Sequence, residues 1–171
     1  MLYYITGGER SGKSSYAQTL AIRLSDTPIY IATARVWDND FKKRIERHKN
    51  ERTEKWINLE EEKQLSTLPI EKKVVVIDCV TLWLTNFYVD LKYNLKEALT
   101  QAEEEFEKLL KIDCTLIIIS NEIGMGVHAD TEIGRKFVEL QGWMNQRIAA
   151  KANKVILMIS GIPVIIKENK A

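Results

Sequence analysis

Cysteine, proline and histidine are all scarce in this 171-residue chain, at two, three and two residues. Cys79 and Cys114 lie in or beside apolar runs, so two buried, reduced thiols are expected rather than a disulfide framework, and two histidines give no basis for a zinc site. Three prolines and no Gly/Ser-rich tract leave no extended linker, and residues 1–171 read as a single domain. Charge of one sign is missing too. The formal net charge is +1, which gives no bulk attraction for nucleic acid or an anionic membrane. No apolar run approaches the ~20 residues that a bilayer span needs. The longest, near 155–166, is interrupted by Gly161 and Pro163. The N-terminal Met-Leu-Tyr-Tyr-Ile-Thr-Gly-Gly has neither a basic segment nor a long apolar core, so a cytoplasmic protein is expected.

What is present is an alternation of short apolar runs with longer amphipathic ones. Strands are expected at Leu2–Thr6, Pro28–Thr33, Val74–Asp78, Thr115–Ser120, Val155–Ser160 and Val164–Lys167. Helices are expected over Lys13–Leu24, Asp38–Lys55, Leu95–Lys111 and Thr131–Lys151, with a loop and short helix across Glu60–Leu68 and a buried helical turn at Leu82–Val89. Unbroken apolar strands between helices imply an α/β fold, a mostly parallel sheet with helices on both faces, and the motif described next makes it the P-loop NTPase type. Small and polar residues follow each strand: Gly7, Ala32-Thr33-Ala34, Asp78, Asn121-Glu122 and Ser160-Gly161. In such sheets ligands sit at the carboxyl ends of the strands.

The strongest motif is Gly7-Gly8-Glu9-Arg10-Ser11-Gly12-Lys13-Ser14, an ungapped G-x-x-x-x-G-K-[ST]. Glycines let the loop curl so that successive N–H groups point at phosphate oxygens, and the helix that follows adds its positive end. Lys13 supplies a full charge at the β- and γ-phosphates, and the Ser14 hydroxyl is placed for Mg²⁺. Asp78, after four apolar residues, can hold the same Mg²⁺ directly or through water, or can cap the segment starting at Thr81. On a helix, Phe41, Ile45, His48 and Arg52 form one stripe, with Lys49 alongside. That stripe is either a solvated charged helix or a nucleophilic imidazole flanked by cations that keep it unprotonated and hold phosphate oxygens. Glu122, between the fourth strand and Gly124 and Gly126, is either a turn residue or one that orients Mg²⁺, water or a substrate hydroxyl. His128 reads as surface, and Asn145-Gln146-Arg147 as structural. A plain small-molecule kinase and a nucleotide switch both remain open on these residues. No Asn-Lys-x-Asp base-reading motif is present.

Six blocks, taken in order, carry a more specific likeness: Thr6–Ser14, Tyr30–Ala34, Arg44–Lys49, Asp78–Asn86, Ser120–Gly126 and Asn145–Ala149. Together they resemble the bifunctional adenosylcobinamide kinase / adenosylcobinamide-phosphate guanylyltransferase family of cobalamin assembly, over nearly the whole chain. The resemblance implies phosphorylation of adenosylcobinamide by ATP or GTP. It then implies transfer of GMP from GTP through a covalent GMP–histidine to give adenosylcobinamide-GDP. The family's nucleophile falls on His48. Its GTP contacts fall on Gly7 through Ser14, on Ala32, Thr33 and Ala34, on Lys49, Asn50, Glu51 and Arg52, on Glu60 and on Asp78. The partner implied is a small corrinoid, with neither nucleic acid nor membrane insertion, and a homo-oligomer, typically a trimer. The chain departs from the family at Thr53, where proline is frequent, at Val127–Thr131, and at Trp143, where arginine is common.

Overall fold

A computed structural model describes residues 1–35 and 55–169. The strands are β1 (Leu2–Gly7), β2 (Ile29–Ala32), β3 (Ile57–Glu60), β4 (Val74–Asp78), β5 (Thr115–Asn121), β6 (Lys154–Ile159) and β7 (Ile162–Glu168). The helices among the described residues are α1 (Lys13–Leu24), α2 (Val80–Asp90), α3 (Leu95–Leu109) and α4 (Glu132–Lys151), with a 3-10 turn at Leu65–Thr67. One sheet holds all seven strands in the order β3-β2-β4-β5-β1-β6-β7, and only β7 runs antiparallel to its neighbour. Parallel neighbours need crossovers, and the helices supply them on both faces.

The side-chain period of two sorts the central strands between two cores. In β5, Leu116 and Ile118 join Ile31, Ile77, Trp83, Phe87, Phe106 and Leu140 on the face covered by α2, α3 and α4. Ile117 and Ile119 point the other way, joining Ile5, Ala17, Ala21, Val76 and Ile156 on the α1 face. Ala17 and Ala21 are fully buried, and their small side chains set α1 close against the sheet. Asn94 and Thr131 cap α3 and α4, their side-chain oxygens accepting the N–H of Glu97 (3.2 Å) and Gly134 (3.0 Å).

Several expectations are revised. Residues 57–60 form β3, although no strand was expected before the loop and short helix across Glu60–Leu68. Among the described residues it pairs only with β2, and three of its four residues are exposed, so its sequence lacks the apolar run that marks the buried strands. The expected helical turn at Leu82–Val89 is an eleven-residue helix that starts at Val80 with Cys79 as its N-cap, so Asp78 does not cap it. β7 begins two residues earlier than expected, because Ser160 (φ 50°) and Gly161 (φ 85°) make a two-residue hairpin turn. Cys79 is buried and Cys114 only half-buried; both are free. Burial pushes the Cys79 thiol up to about 12. Apart from Lys55, the expected helix over 38–55 lies outside the described residues.

Candidate nucleotide site

The carboxyl ends of the parallel strands gather the site. β1 ends in Gly7, and residues 8–12 loop back so that Lys13 opens α1. Two tight approaches fix this loop. A Cβ on Gly7 (φ +152°) would stand 2.5 Å from the Met158 carbonyl oxygen and 2.7 Å from Ser11 Oγ. A Cβ on Gly12 (φ +93°) would stand 3.2 Å from Gly161 Cα. The loop is therefore wedged against β6 and the β6–β7 turn, and the Gly161 N–H donates to the Ser11 carbonyl at 3.0 Å. On its other side the Glu122 N–H donates to the Gly7 carbonyl at 2.9 Å.

Lys13 is only 7% exposed as a residue, and its ammonium donates to the Gly8 carbonyl at 2.6 Å. Burial lowers its pKa, which Glu9, Cys79 and Asp78 oppose in that order. A cation held where desolvation disfavours its charge is relieved by an anion, and phosphate is the anion this loop shape suits. Ser11 Oγ is also enclosed, with no hydrogen-bond partner among the described residues. Ser14 Oγ donates to Asp78 Oδ2 at 2.8 Å, joining the motif's hydroxyl to the acid at the end of β4. The Tyr30 hydroxyl donates to the same oxygen.

Thr33 holds this edge rather than facing outward. Its side chain is fully buried, and all three of its polar groups are engaged within the protein. The N–H donates to the Asp78 carbonyl (3.1 Å), and the carbonyl accepts from Asn86 Nδ2 (2.8 Å). The hydroxyl donates to the Cys79 carbonyl (2.8 Å) and accepts the Cys79 N–H (2.9 Å). Thr33 thus clamps β2 to the turn after Asp78. Ala32 pairs with both Asp78 and Glu60, so Ala32, Glu60 and Asp78 end three adjacent strands in register. Beside them Arg35 spans Asp90 (2.7 Å) and Glu62 (2.6 Å), and Lys63 also reaches Asp90 (2.6 Å). These two cations hold the Asp90 carboxyl well below the usual carboxylate range.

The edge of β5 is set by a polar network. Gln141 Nε2 donates to the Asn121 carbonyl (2.6 Å) and to Thr81 Oγ1 (2.8 Å), and Asn121 Nδ2 also donates to Thr81 (3.1 Å). Ser120 Oγ donates to Asn145 Oδ1 at 2.7 Å, so Asn145 is structural, as expected. The Glu122 carboxylate accepts the Gly124 N–H at 2.7 Å, which is the turn role weighed for it, and His128 is exposed. His48, Lys49, Asn50, Glu51 and Arg52 lie outside the described residues. Tyr30, Asn86 and Gln141 were not anticipated, since each is one polar residue in an otherwise apolar or amphipathic element.

The sequence profile of the cobinamide kinase / cobinamide phosphate guanyltransferase family matches residues 3–166. The chain belongs to this family. The chain is 35% identical to the bifunctional adenosylcobalamin biosynthesis protein CobU of Escherichia coli K12, across 98% of this chain and 100% of that protein. It is 36% identical to the corresponding CobP of Pseudomonas aeruginosa, across 95% of each. As a member it is a transferase of adenosylcobalamin biosynthesis. Among solved structures, a type III secretion system ATPase superposes with a TM-score of 0.54 at 11% identity, covering 91% of this chain and 50% of the ATPase. That likeness supports the P-loop fold alone. No helix among the described residues is long and apolar enough to cross a membrane.

Proposed function

We propose that this chain, as one catalytic unit, runs both family reactions on a single phosphate cradle and forms a covalent GMP–His48 adduct in the second. The observation that carries the reading is the convergence of Lys13, Ser14 and Asp78 at the ends of β1 and β4. In the kinase step, the adenosylcobinamide hydroxyl oxygen bonds to the γ-phosphorus of ATP or GTP. The γ-phosphorus–bridging-oxygen bond breaks, the nucleoside diphosphate leaves, and the hydroxyl proton passes to solvent. Lys13 and the backbone N–H groups of the loop and of the start of α1 hold the charge that builds on the phosphate oxygens. In the transfer step, neutral His48 attacks the α-phosphorus of GTP and pyrophosphate leaves. A phosphate oxygen of adenosylcobinamide phosphate then takes the GMP, which frees the imidazole.

Ser14 Oγ and Asp78 Oδ2 are hard oxygen donors 2.8 Å apart, a pair that suits Mg²⁺ completed by phosphate oxygens and water. Bound there, Mg²⁺ would supply charge neutralisation at the β- and γ-phosphates. Gly7, Gly8, Glu9, Arg10, Ser11 and Gly12 would form the cradle, with Ala32, Ala34, Lys49, Asn50, Glu51, Arg52 and Glu60 addressing GTP. Thr33 acts through the position it gives Cys79 and Asp78. A cytoplasmic homo-oligomer, a trimer in the family's manner, fits the edge strand β7, whose Ile162, Val164, Ile165 and Ile166 are all exposed.

Lys13→Ala tests the single cradle. Both phosphorylation of adenosylcobinamide and transfer from GTP should fall by about 10²-fold or more, the usual scale for losing one preorganised charge-stabilising group. Loss of one activity with the other intact would mean two separate nucleotide sites.

A further inference from the structure

A cavity of about 310 Å³ opens directly beside the phosphate cradle, on the side of α1 away from Asp78. Gly12, Tyr16, Thr19, Arg23, Met158 and Gly161 line it. Gly12 and Gly161 belong to the cradle and to the hairpin turn wedged against it, so the cavity continues the cradle rather than standing apart from it. The sheet order puts β6 and β7 on this side of β1, whereas Ala32, Glu60 and Asp78 end the strands on the other side.

We propose that this groove between α1 and the β6–β7 turn is the nucleoside subsite for the triphosphate that donates its γ-phosphate, an inference that rests on the proposed kinase reaction. An aromatic ring and a thioether, Tyr16 and Met158, offer the flat apolar contacts a purine base needs. The Arg23 guanidinium and the Ser15 and Thr19 hydroxyls add polar groups for its edges and the ribose. The volume is at the lower end for small-molecule sites, which suits a nucleoside and is too small for a corrinoid macrocycle. A nucleotide with its base here and its phosphates on residues 8–14 points its γ-phosphate toward Ser14 and Asp78, where an acceptor hydroxyl can attack. The strand ends on the far side then remain for the GTP that reacts at its α-phosphate. The two donors would thus enter one cradle from opposite sides.

Thr19 is exposed on α1, so Thr19→Trp fills the groove without disturbing the core. Tyr16→Leu removes the ring and keeps bulk. The measurement is calorimetric affinity for ATP and for inorganic tripolyphosphate, each with Mg²⁺, alongside the molecular mass in solution. Both variants should weaken ATP about tenfold, the scale of losing one base-stacking contact, and leave tripolyphosphate within about twofold of the unaltered protein. The KM for the donor in phosphorylation should rise by the same factor with kcat unchanged. Unchanged ATP affinity would overturn the proposal, as would equal losses for ATP and tripolyphosphate. A lowered molecular mass with unchanged ATP affinity would overturn it too and assign the groove to a contact between copies. Failure of the unaltered protein to phosphorylate adenosylcobinamide would instead overturn the kinase reading, independently of how ATP and tripolyphosphate compare.

Discussion

Gly7 and Gly8 are adjacent glycines in the same cradle, and adding one methyl group should affect them very differently. At Gly7 a Cβ would lie 2.5 Å from a backbone oxygen of β6, in a strand pair that is in register there (Gly7 with Met158). That oxygen cannot swing aside as a side chain could, so β1 and β6 must separate. The cost has two parts: about 1–2 kcal/mol for an L-residue at positive φ, and about 1–3 kcal/mol for overpacking. Gly7→Ala should therefore lose about 2–5 kcal/mol, a large share of the roughly 5–15 kcal/mol that folded domains hold. With a urea slope of about 2–3 kcal/mol per molar, the unfolding midpoint should fall by about 0.7–2.5 M. Gly8 has nothing within 4 Å of its added Cβ, so Gly8→Ala should stay within about 0.5 kcal/mol of the parent. Urea denaturation of the two variants, followed by circular dichroism, measures both. Equal midpoints would refute the claim that the cradle is wedged against β6.

Thr33→Val keeps the shape of the side chain but takes the acceptor from the buried Cys79 N–H, while the Cys79 carbonyl keeps the Trp83 N–H (3.0 Å). It should cost about 1–3 kcal/mol by thermal or urea unfolding and reduce turnover in both reactions without abolishing either. Asp90, held ionised by Arg35 and Lys63, has its folded pKa below its unfolded one. Its contribution is present at neutral pH and is lost as pH falls through and below the ordinary carboxylate range near 4. Asp90→Asn should flatten the stability-versus-pH curve there. Because the carboxylate is partly exposed, the difference at neutral pH should be no more than about 1 kcal/mol.

The parts of the site that follow from chain-local pattern were legible beforehand. Residues 7–14 carry the spacing of the phosphate loop, and Asp78 ends an apolar run, so both could be placed before any contact was known. What could not be read are pairings across long sequence separations. Tyr30 reaches Asp78 48 residues on, and Gln141 reaches Thr81 60 residues back. Nothing local distinguishes that tyrosine or that glutamine from its neighbours. Thr33 could be placed at a strand end, but not the direction its hydroxyl takes, because that depends on where Cys79 and Asn86 fall. β3 was missed for the opposite reason: an exposed edge strand needs no hydrophobic run, and its partner β2 supplies the pairing.

The central claim, that a phosphate-loop fold here also performs chemistry at an α-phosphate through His48, is tested most directly by labelling. The protein is incubated with α-labelled GTP and Mg²⁺, denatured and separated by electrophoresis. A band should retain label, lose it in acid, keep it in alkali, and be absent from His48→Ala, which should still phosphorylate adenosylcobinamide. No retained label under conditions where GTP demonstrably binds, or a labelled band that persists in His48→Ala, would contradict the claim.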